Sequence, residues 1–437
     1  MSYFTNAMGN TENKYCIIGG GPSGLCTAKN LKDKNVSFDG YEAASEIGGL
    51  WNINNENSSV YETAHLISSK TMTEFKDFPM KQNTPDYPSH EKLFEYFKDY
   101  AEHFKLREHY TLNTYVTKLE QTEKGWDVTL SDGRTLPYKG VIIANGTLSE
   151  PNKIAFKGDF LGEIIHSKDY KSPTIFTGKR VLIVGAGNSG CDIAVDAVHH
   201  AAKVRMSVRR GYHFVPKYIF GKPADTVGGL IKFPKIIKQK MDKFLLGWFL
   251  VDPVKYGFPE PDHKLYESHP IVNSLILYYL GHGDIKIVAD IEKLEGNTVY
   301  FKDGTKDDYD LILTATGYIL HYPFIDKKHL NWKDGRPELY LNIFHPEYNN
   351  LFFMGLVEAT GLGWEGRNEQ AKLIASFIAA YEKNAPSAQK FVVKKKNTMP
   401  DLRGGMNYIK LDRMAFYVHK DTYRHLVKTE IEQFAHA

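Results

Sequence analysis

Short apolar runs that end in small residues organise this chain. Tyr15 to Ile18 has no polar break and enters Gly19-x-Gly21-x-x-Gly24, after which Leu25 to Leu31 continues at helical spacing. A continuous run of that length predicts a strand buried on both faces, as in a parallel sheet. Val36 to Tyr41, ended by Glu42, predicts the next strand, and Val141 to Ala144, ended by Asn145-Gly146, a third. The pattern restarts at Val181 to Val184, which enters Gly185-x-Gly187-x-x-Gly190 and a helix from Cys191 to Ala197, with Val204 to Val208 as the following strand. Leu311 to Thr314, followed by Ala315-Thr316-Gly317, repeats the strand-to-small-turn pattern of 141–146. Phe352 to Gly355 predicts a last strand, leading through Gly361, Gly363 and Gly366 into a helix from Asn368 to Tyr381. Elsewhere Ser89 caps a predicted helix over His90 to Phe104, and residues 111–138 alternate as strands with Asp132-Gly133 as a hairpin turn. The fold class is therefore α/β, with two nested Rossmann-like dinucleotide-binding domains. The first takes residues 1–170 and 298–437; the second takes 171–297, with a helical insertion at about 217–283.

Each glycine of the first motif has a physical task. Gly19 permits the tight turn, Gly21 lets the backbone approach a pyrophosphate, and Gly24 lets the helix pack closely on the strand. Pro22 and Ser23 lie within the motif as candidate cofactor contacts, and the free N–H groups and positive dipole end of the helix that follows suit phosphate. Glu42 stands where an acid takes ribose hydroxyls. The second motif (Gly185, Gly187, Asn188, Ser189, Gly190) repeats the cradle, but its next strand ends in Arg209 and Arg210. Arginine suits a 2′-phosphate, so this site reads as NADPH-binding (NADP⁺ after reaction) and the first as binding an adenine dinucleotide without that phosphate. Gly48-Gly49 suggests a backbone that passes close to a ligand, and the helix from Asn368 is a third N-terminus placed to meet a cofactor. Two cradles imply hydride transfer from NADPH to a second, tightly held cofactor, for which FAD is the candidate.

Composition decides where the electrons go. Cys16, Cys26 and Cys191 are scattered, and no C-x-x-C, metal-ligand or haem spacing occurs, so no metal is expected. Molecular oxygen needs no protein ligand and leads by elimination. The 437 residues exceed one hydrophobic core, and a net charge of +3 carries no nucleic-acid footprint. The polar N-terminus lacks a signal-peptide core, and the reading is cytoplasmic. Lys232, Lys235, Lys238, Lys240 and Lys243 precede Phe244 to Phe249, a stretch read as a helix with one solvated face, with peripheral membrane contact as the alternative. The last 45 residues predict no role.

Together these motifs resemble the class B flavoprotein monooxygenases: the flavin-containing monooxygenases and their Baeyer–Villiger relatives. The resemblance covers roughly residues 14 to 381. It rests on both glycine motifs, Glu42, Gly48-Gly49-Leu50-Trp51, Asp77-Phe78-Pro79, Arg209 and Ala315-Thr316-Gly317-Tyr318. Phe156-x-Gly158 and His166-x-x-x-Tyr170 are similar to the family's identifying sequence, with seven residues between Gly158 and His166, more than in its short form. Tyr170, where the Baeyer–Villiger group has tryptophan, tilts the likeness toward the flavin-containing branch. The resemblance implies cofactor contacts at Gly49, Leu50, Trp51, Thr316, Gly317 and Asn368. It also implies a cycle in which NADPH reduces FAD, oxygen forms a peroxyflavin, and one oxygen atom passes to a sulfide or amine. Baeyer–Villiger attack on a ketone and an NADPH oxidase-like or non-oxygenating flavoprotein stay open. The substrate is a small molecule, and the family often forms homodimers. One departure matters: overlaying Ser69-Lys70 on the family's Ser-Lys pair puts Ile67 where many members have an active-site asparagine. His65, Ile67 and Ser68 thus become the candidate catalytic positions, with His65 or a backbone group supplying the missing polar contact.

Overall fold

The computed structural model describes residues 11–227, 247, 251–411 and 414–435. In the first sheet, strand β1 (Tyr15–Ile18) leads into helix α1 (Pro22–Asp33) and strand β2 (Phe38–Tyr41). After α2 (Lys70–Thr73) and α3 (His90–His103) comes the short β3 (Tyr110–Thr111). The antiparallel meander β4 (Val116–Gln121), β5 (Trp126–Leu130) and β6 (Thr135–Tyr138) then delivers β7 (Gly140–Ile143). β1 lies between β2 and β7, all parallel, with Tyr15 opposite Phe38 and Gly140. Because side chains alternate along a strand, Tyr15 and Ile17 join the core under α1, while Cys16 and Ile18 join Trp126 and Val128 of the meander. Both faces are covered, which is why the run is apolar throughout.

The second sheet repeats the construction. Its strands are β8 (Glu163–His166), β9 (Arg180–Val184), β10 (Lys203–Ser207), β11 (Ile285–Val288) and β12 (Leu311–Thr314), in the order β8-β12-β9-β10-β11. Helix α4 (Asn188–Val198) follows β9, and α5 (Leu275–His282) precedes β11. Val181 and Ile183 pack under α4; Leu182 and Val184 pack on the hairpin strands Ile291–Gly296 and Thr298–Phe301. The chain then returns to the first sheet as β13 (Leu351–Phe353) beside β7, and α6 (Glu365–Glu382) packs along α1.

Several expectations shift. β8 and β12 belong to the second sheet, so that sheet reaches from 163 to 314, beyond the 171–297 expected for its domain. The helix expected from Asn368 begins at Glu365. The insertion is not simply helical: a tiny hairpin, Tyr218–Ile219 with Lys222–Pro223, opens it, and α5 closes it. The lysine-rich stretch and the apolar Phe244 to Phe249 lie outside the described residues, save Gly247. The unassigned C-terminus has a structural task. Helix α7 (Pro386–Asn397) and helix α8 (Lys420–Gln433) cover α6, with Phe391, Tyr423 and Val427 in the main core.

Candidate active site

The first cradle is built by close backbone approach. Gly19 has φ +107°, and a Cβ there would stand 2.6 Å from the Ala144 carbonyl oxygen. A Cβ at Gly24 would stand 1.8 Å from the Gly19 carbonyl oxygen, so α1 meets the end of β1 only as glycine. The 48–51 loop is laid over this turn: Gly48 N–H donates to the Gly20 carbonyl at 2.9 Å, and a Cβ on Gly49 would come within 2.8 Å of the Gly21 Cα. Leu50 and Trp51 form the 3₁₀ turn behind it, with Trp51 edge-on to Trp364 at 6.2 Å. Pro22 and Ser23 begin α1. Glu42 is 5% exposed; it accepts from Gly20 N–H at 2.6 Å and from Ala44 N–H at 2.9 Å. Burial raises its pKa against the pull of those N–H groups. Each carboxylate oxygen has a second lone pair, so ribose hydroxyls can still be accepted.

The second cradle copies the first. Gly185 has φ +104° with its would-be Cβ 2.7 Å from the Ala315 carbonyl oxygen, and a Cβ at Gly190 would stand 2.0 Å from that of Gly185. Gly187 precedes α4, and Ser189 is exposed on its first turn. Asn188 faces elsewhere: its carboxamide donates to the Pro270 carbonyl and accepts from Val272 N–H, which ties down the 270–272 segment. Arg209 and Arg210 line a cavity of about 380 Å³ with Gly211, Glu260 and Asp262. Arg210 is paired with Asp262 at 2.8 Å, whereas Arg209 is exposed and makes no side-chain hydrogen bond or ion pair among the described residues. Thr316 and Gly317 follow β12, hence the second sheet, where Thr316 donates to the Asn152 carbonyl at 2.6 Å. Beyond the ends of β7 and β12, a Cβ at Gly146 or Gly317 would meet no atom within 4 Å, so both strand ends open onto space. Two Cβ-free cradles, each at a strand-to-helix turn, fit two dinucleotides.

The 58–73 segment runs between them. Tyr61 donates to Asp192 and Thr63 to Asp196, both on α4. Ser69 N–H donates to Asp225 at 2.7 Å, and the Thr73 carbonyl accepts from Trp364 N–H at 2.9 Å at the start of α6. Burial pushes the Asp192 carboxyl up to about 6. Within the segment, the Ser68 and Thr73 hydroxyls pair at 2.7 Å, and Ile67 is half-buried. His65 is exposed; its Nδ1 lies 2.6 Å from the Thr63 carbonyl oxygen and its backbone bridges Ser89, with no bond to either glycine loop. His166 is buried against Tyr318, and Tyr170 donates to Asp196 at 2.9 Å, so the His-x-x-x-Tyr sequence sets the geometry of the junction.

Asn368 is also turned away from the cradle: its carboxamide accepts from Asn30 at 2.8 Å and donates to Glu365, joining α6 to α1. Sequence reasoning missed its neighbour Arg367, which lies beside Gly355, next to Ser23 in the first turn of α1. A Cβ on Gly355 would lie 2.8 Å from Ser23 Oγ and 3.9 Å from Arg367 Nε. Starting the helix at Asn368 had left Arg367 in the preceding loop; the acidic Glu365 at a helix first turn was the available signal.

A profile of the flavin-binding monooxygenase-like family matches residues 12–429. The chain belongs to that family. This monooxygenase is 31% identical over 376 residues to dimethylaniline monooxygenase (N-oxide-forming) 2 of Rattus norvegicus, covering 80% of this chain and 70% of the rat protein. Among solved structures it is similar in fold to S-allyl-L-cysteine S-oxygenase of Allium sativum, at 19% identity and TM-score 0.66 over 96% of this chain and 88% of the other. It is likewise similar to an open form of cyclohexanone monooxygenase, at 18% identity and TM-score 0.70 over 95% and 97%. The flavin-binding monooxygenase is thus an oxidoreductase that uses FAD, NADPH and molecular oxygen on a small-molecule substrate. Among the described residues no helix is long and apolar enough to cross a membrane.

Proposed function

We propose that this enzyme oxygenates soft nucleophiles, sulfides or amines, with FAD in the first cradle and NADPH in the second. The observation that carries the reading is the pair of Cβ-free cradles flanking one shared segment, 58–73. FAD, when bound, takes hydride from NADPH and activates oxygen. The chain's own residues bind, orient and exclude water. Glu42 orients the ribose of FAD, the α1 and α4 first turns hold the diphosphates, and Arg209 takes the 2′-phosphate with Arg210 shared by Asp262. No side-chain nucleophile is required, and His65, Ile67 and Ser68 serve as lining. The S- or N-oxygenating choice is supported by the rat N-oxide-forming relative, while the cyclohexanone monooxygenase likeness is one of fold. The domain limits proposed are those of the two sheets, and the setting proposed is cytoplasmic.

The test supplies NADPH, oxygen and either a thioether, a tertiary amine or a cyclic ketone. Sulfoxide or N-oxide in proportion to NADPH consumed supports the proposal; lactone alone replaces it with the Baeyer–Villiger reading. Hydrogen peroxide equal to NADPH, with no oxygenated product, would leave an NADPH oxidase, the reading that Ile67 keeps open.

A further inference from the structure

Among the described residues no carboxylate is in hydrogen-bond or ion-pair contact with the Arg367 guanidinium. Among the described residues its side chain makes one hydrogen bond, from Nη1 to the Gly363 carbonyl at 3.5 Å, although a guanidinium has five N–H donors. No ion pair reaches it among the described residues. The acids beside it on α6 are committed elsewhere: Glu365 accepts from Lys76 N–H and Asn368, and Glu369 takes a bidentate contact from Arg424. Glu358 adds only its field. The side chain keeps accessible surface, yet protein surrounds it deeply enough for burial to lower its pKa. Gly355 stands between it and Ser23 in the first turn of α1: a Cβ there would lie 3.9 Å from Arg367 Nε and 2.8 Å from Ser23 Oγ.

A planar, permanently charged fork suits two oxygens of a phosphate. We propose that Arg367 is held in readiness for the diphosphate of FAD, swinging from the Gly363 carbonyl onto its oxygens when the cofactor binds. This rests on the placement of FAD in the first cradle. It adds a charged contact to a site otherwise made of backbone N–H groups, and it gives the guanidinium a partner that no described carboxylate supplies by contact.

The experiment measures FAD dissociation from the full-length holoenzyme for wild type, R367Q and R367K, together with the flavin midpoint potential. The expected result is an FAD Kd raised roughly tenfold to hundredfold in R367Q, a smaller rise in R367K, and an unchanged potential in both. An R367Q Kd within twofold of a tight wild-type value overturns the proposal alone. So does a shifted potential at unchanged Kd, which would put the guanidinium against the flavin ring. FAD binding that survives G24A at wild-type strength overturns the placement of FAD itself, and the proposal with it.

Discussion

Gly24→Ala and Gly190→Ala form a matched pair of perturbations that separates the two cradles. A Cβ at position 24 would lie 1.8 Å from the Gly19 carbonyl oxygen and one at 190 would lie 2.0 Å from that of Gly185, where ordinary contacts do not come below 3.0 Å. In each variant the first turn of the helix must move off its strand by roughly 1 Å. Overpacking of this kind costs about 1–3 kcal/mol of stability, so both proteins are expected to fold with a lowered Tm. The larger effect falls on the nucleotide, because the displaced N–H groups no longer reach the diphosphate. Each charge-assisted hydrogen bond contributes about 1.5–3 kcal/mol, so losing one weakens binding roughly tenfold to hundredfold. G24A should therefore purify depleted of FAD, read by its visible absorbance. G190A should stay yellow but need far more NADPH for anaerobic flavin reduction, read by stopped flow. If G190A loses flavin while G24A retains it, the cradles are assigned the wrong way round. If both behave as wild type, neither turn contacts a diphosphate.

Arg209→Gln should raise the NADPH concentration needed for half-maximal flavin reduction about tenfold and leave NADH unaffected; an equal change for both nucleotides would remove Arg209 from the 2′-phosphate site. Asp192, buried on α4, has its pKa raised from 3.8 to about 6. The native state therefore favours the protonated form, and this group's stabilisation, complete below about pH 4, is lost as pH rises to about 6. D192N is expected to gain about 3 kcal/mol on wild type between pH 4 and 7, and parallel unfolding curves across that range would refute it. Lys395, 1% exposed, donates to the carbonyls of His345, Pro346 and Tyr348 at 2.7, 2.8 and 3.1 Å. K395M should lose about 3 kcal/mol in urea unfolding with FAD content intact, whereas an unchanged midpoint would show that water satisfies those carbonyls.

What was legible in the sequence follows from what is local. Each parallel strand is covered on both faces, so β1, β7, β9 and β12 each show as an unbroken apolar run before a glycine or small turn. The cradles were legible because backbone contact between a strand end and the next helix demands glycine within a few residues. Sheet membership was not: a parallel strand carries no mark of its neighbours, and β8 and β12 joined the second sheet through partners far along the chain. The commitments of polar side chains were hidden for the same reason. Asn368 meets Asn30 across 338 positions, Asn188 is taken up by the 270–272 segment, and Asp262 claims Arg210 across 52. The motif fixes where a side chain starts; only the tertiary partner decides whether it is free for a ligand.

That distinction bears most on residues 58–73. Ile67 offers no polar group there, and its neighbours' polar groups are taken: His65 Nδ1 lies against the Thr63 carbonyl, and the Ser68 and Thr73 hydroxyls satisfy each other. Thr73 also donates to the Ser69 carbonyl, while Ser69 N–H is taken by Asp225. The segment's polar groups are thus closed upon themselves and upon the two nucleotide-binding units, through Asp192 and Asp196 on one side and Trp364 on the other. The buried groups of this strip are satisfied internally, while Glu62, Thr63, His65 and Thr71 face outward. With the Ser68 and Thr73 hydroxyls paired to each other and Ser69 N–H taken by Asp225, proton control is left to the nucleotide and the substrate. Oxygen transfer to a sulfide or amine can proceed on those terms, since the acceptor's own lone pair forms the new bond.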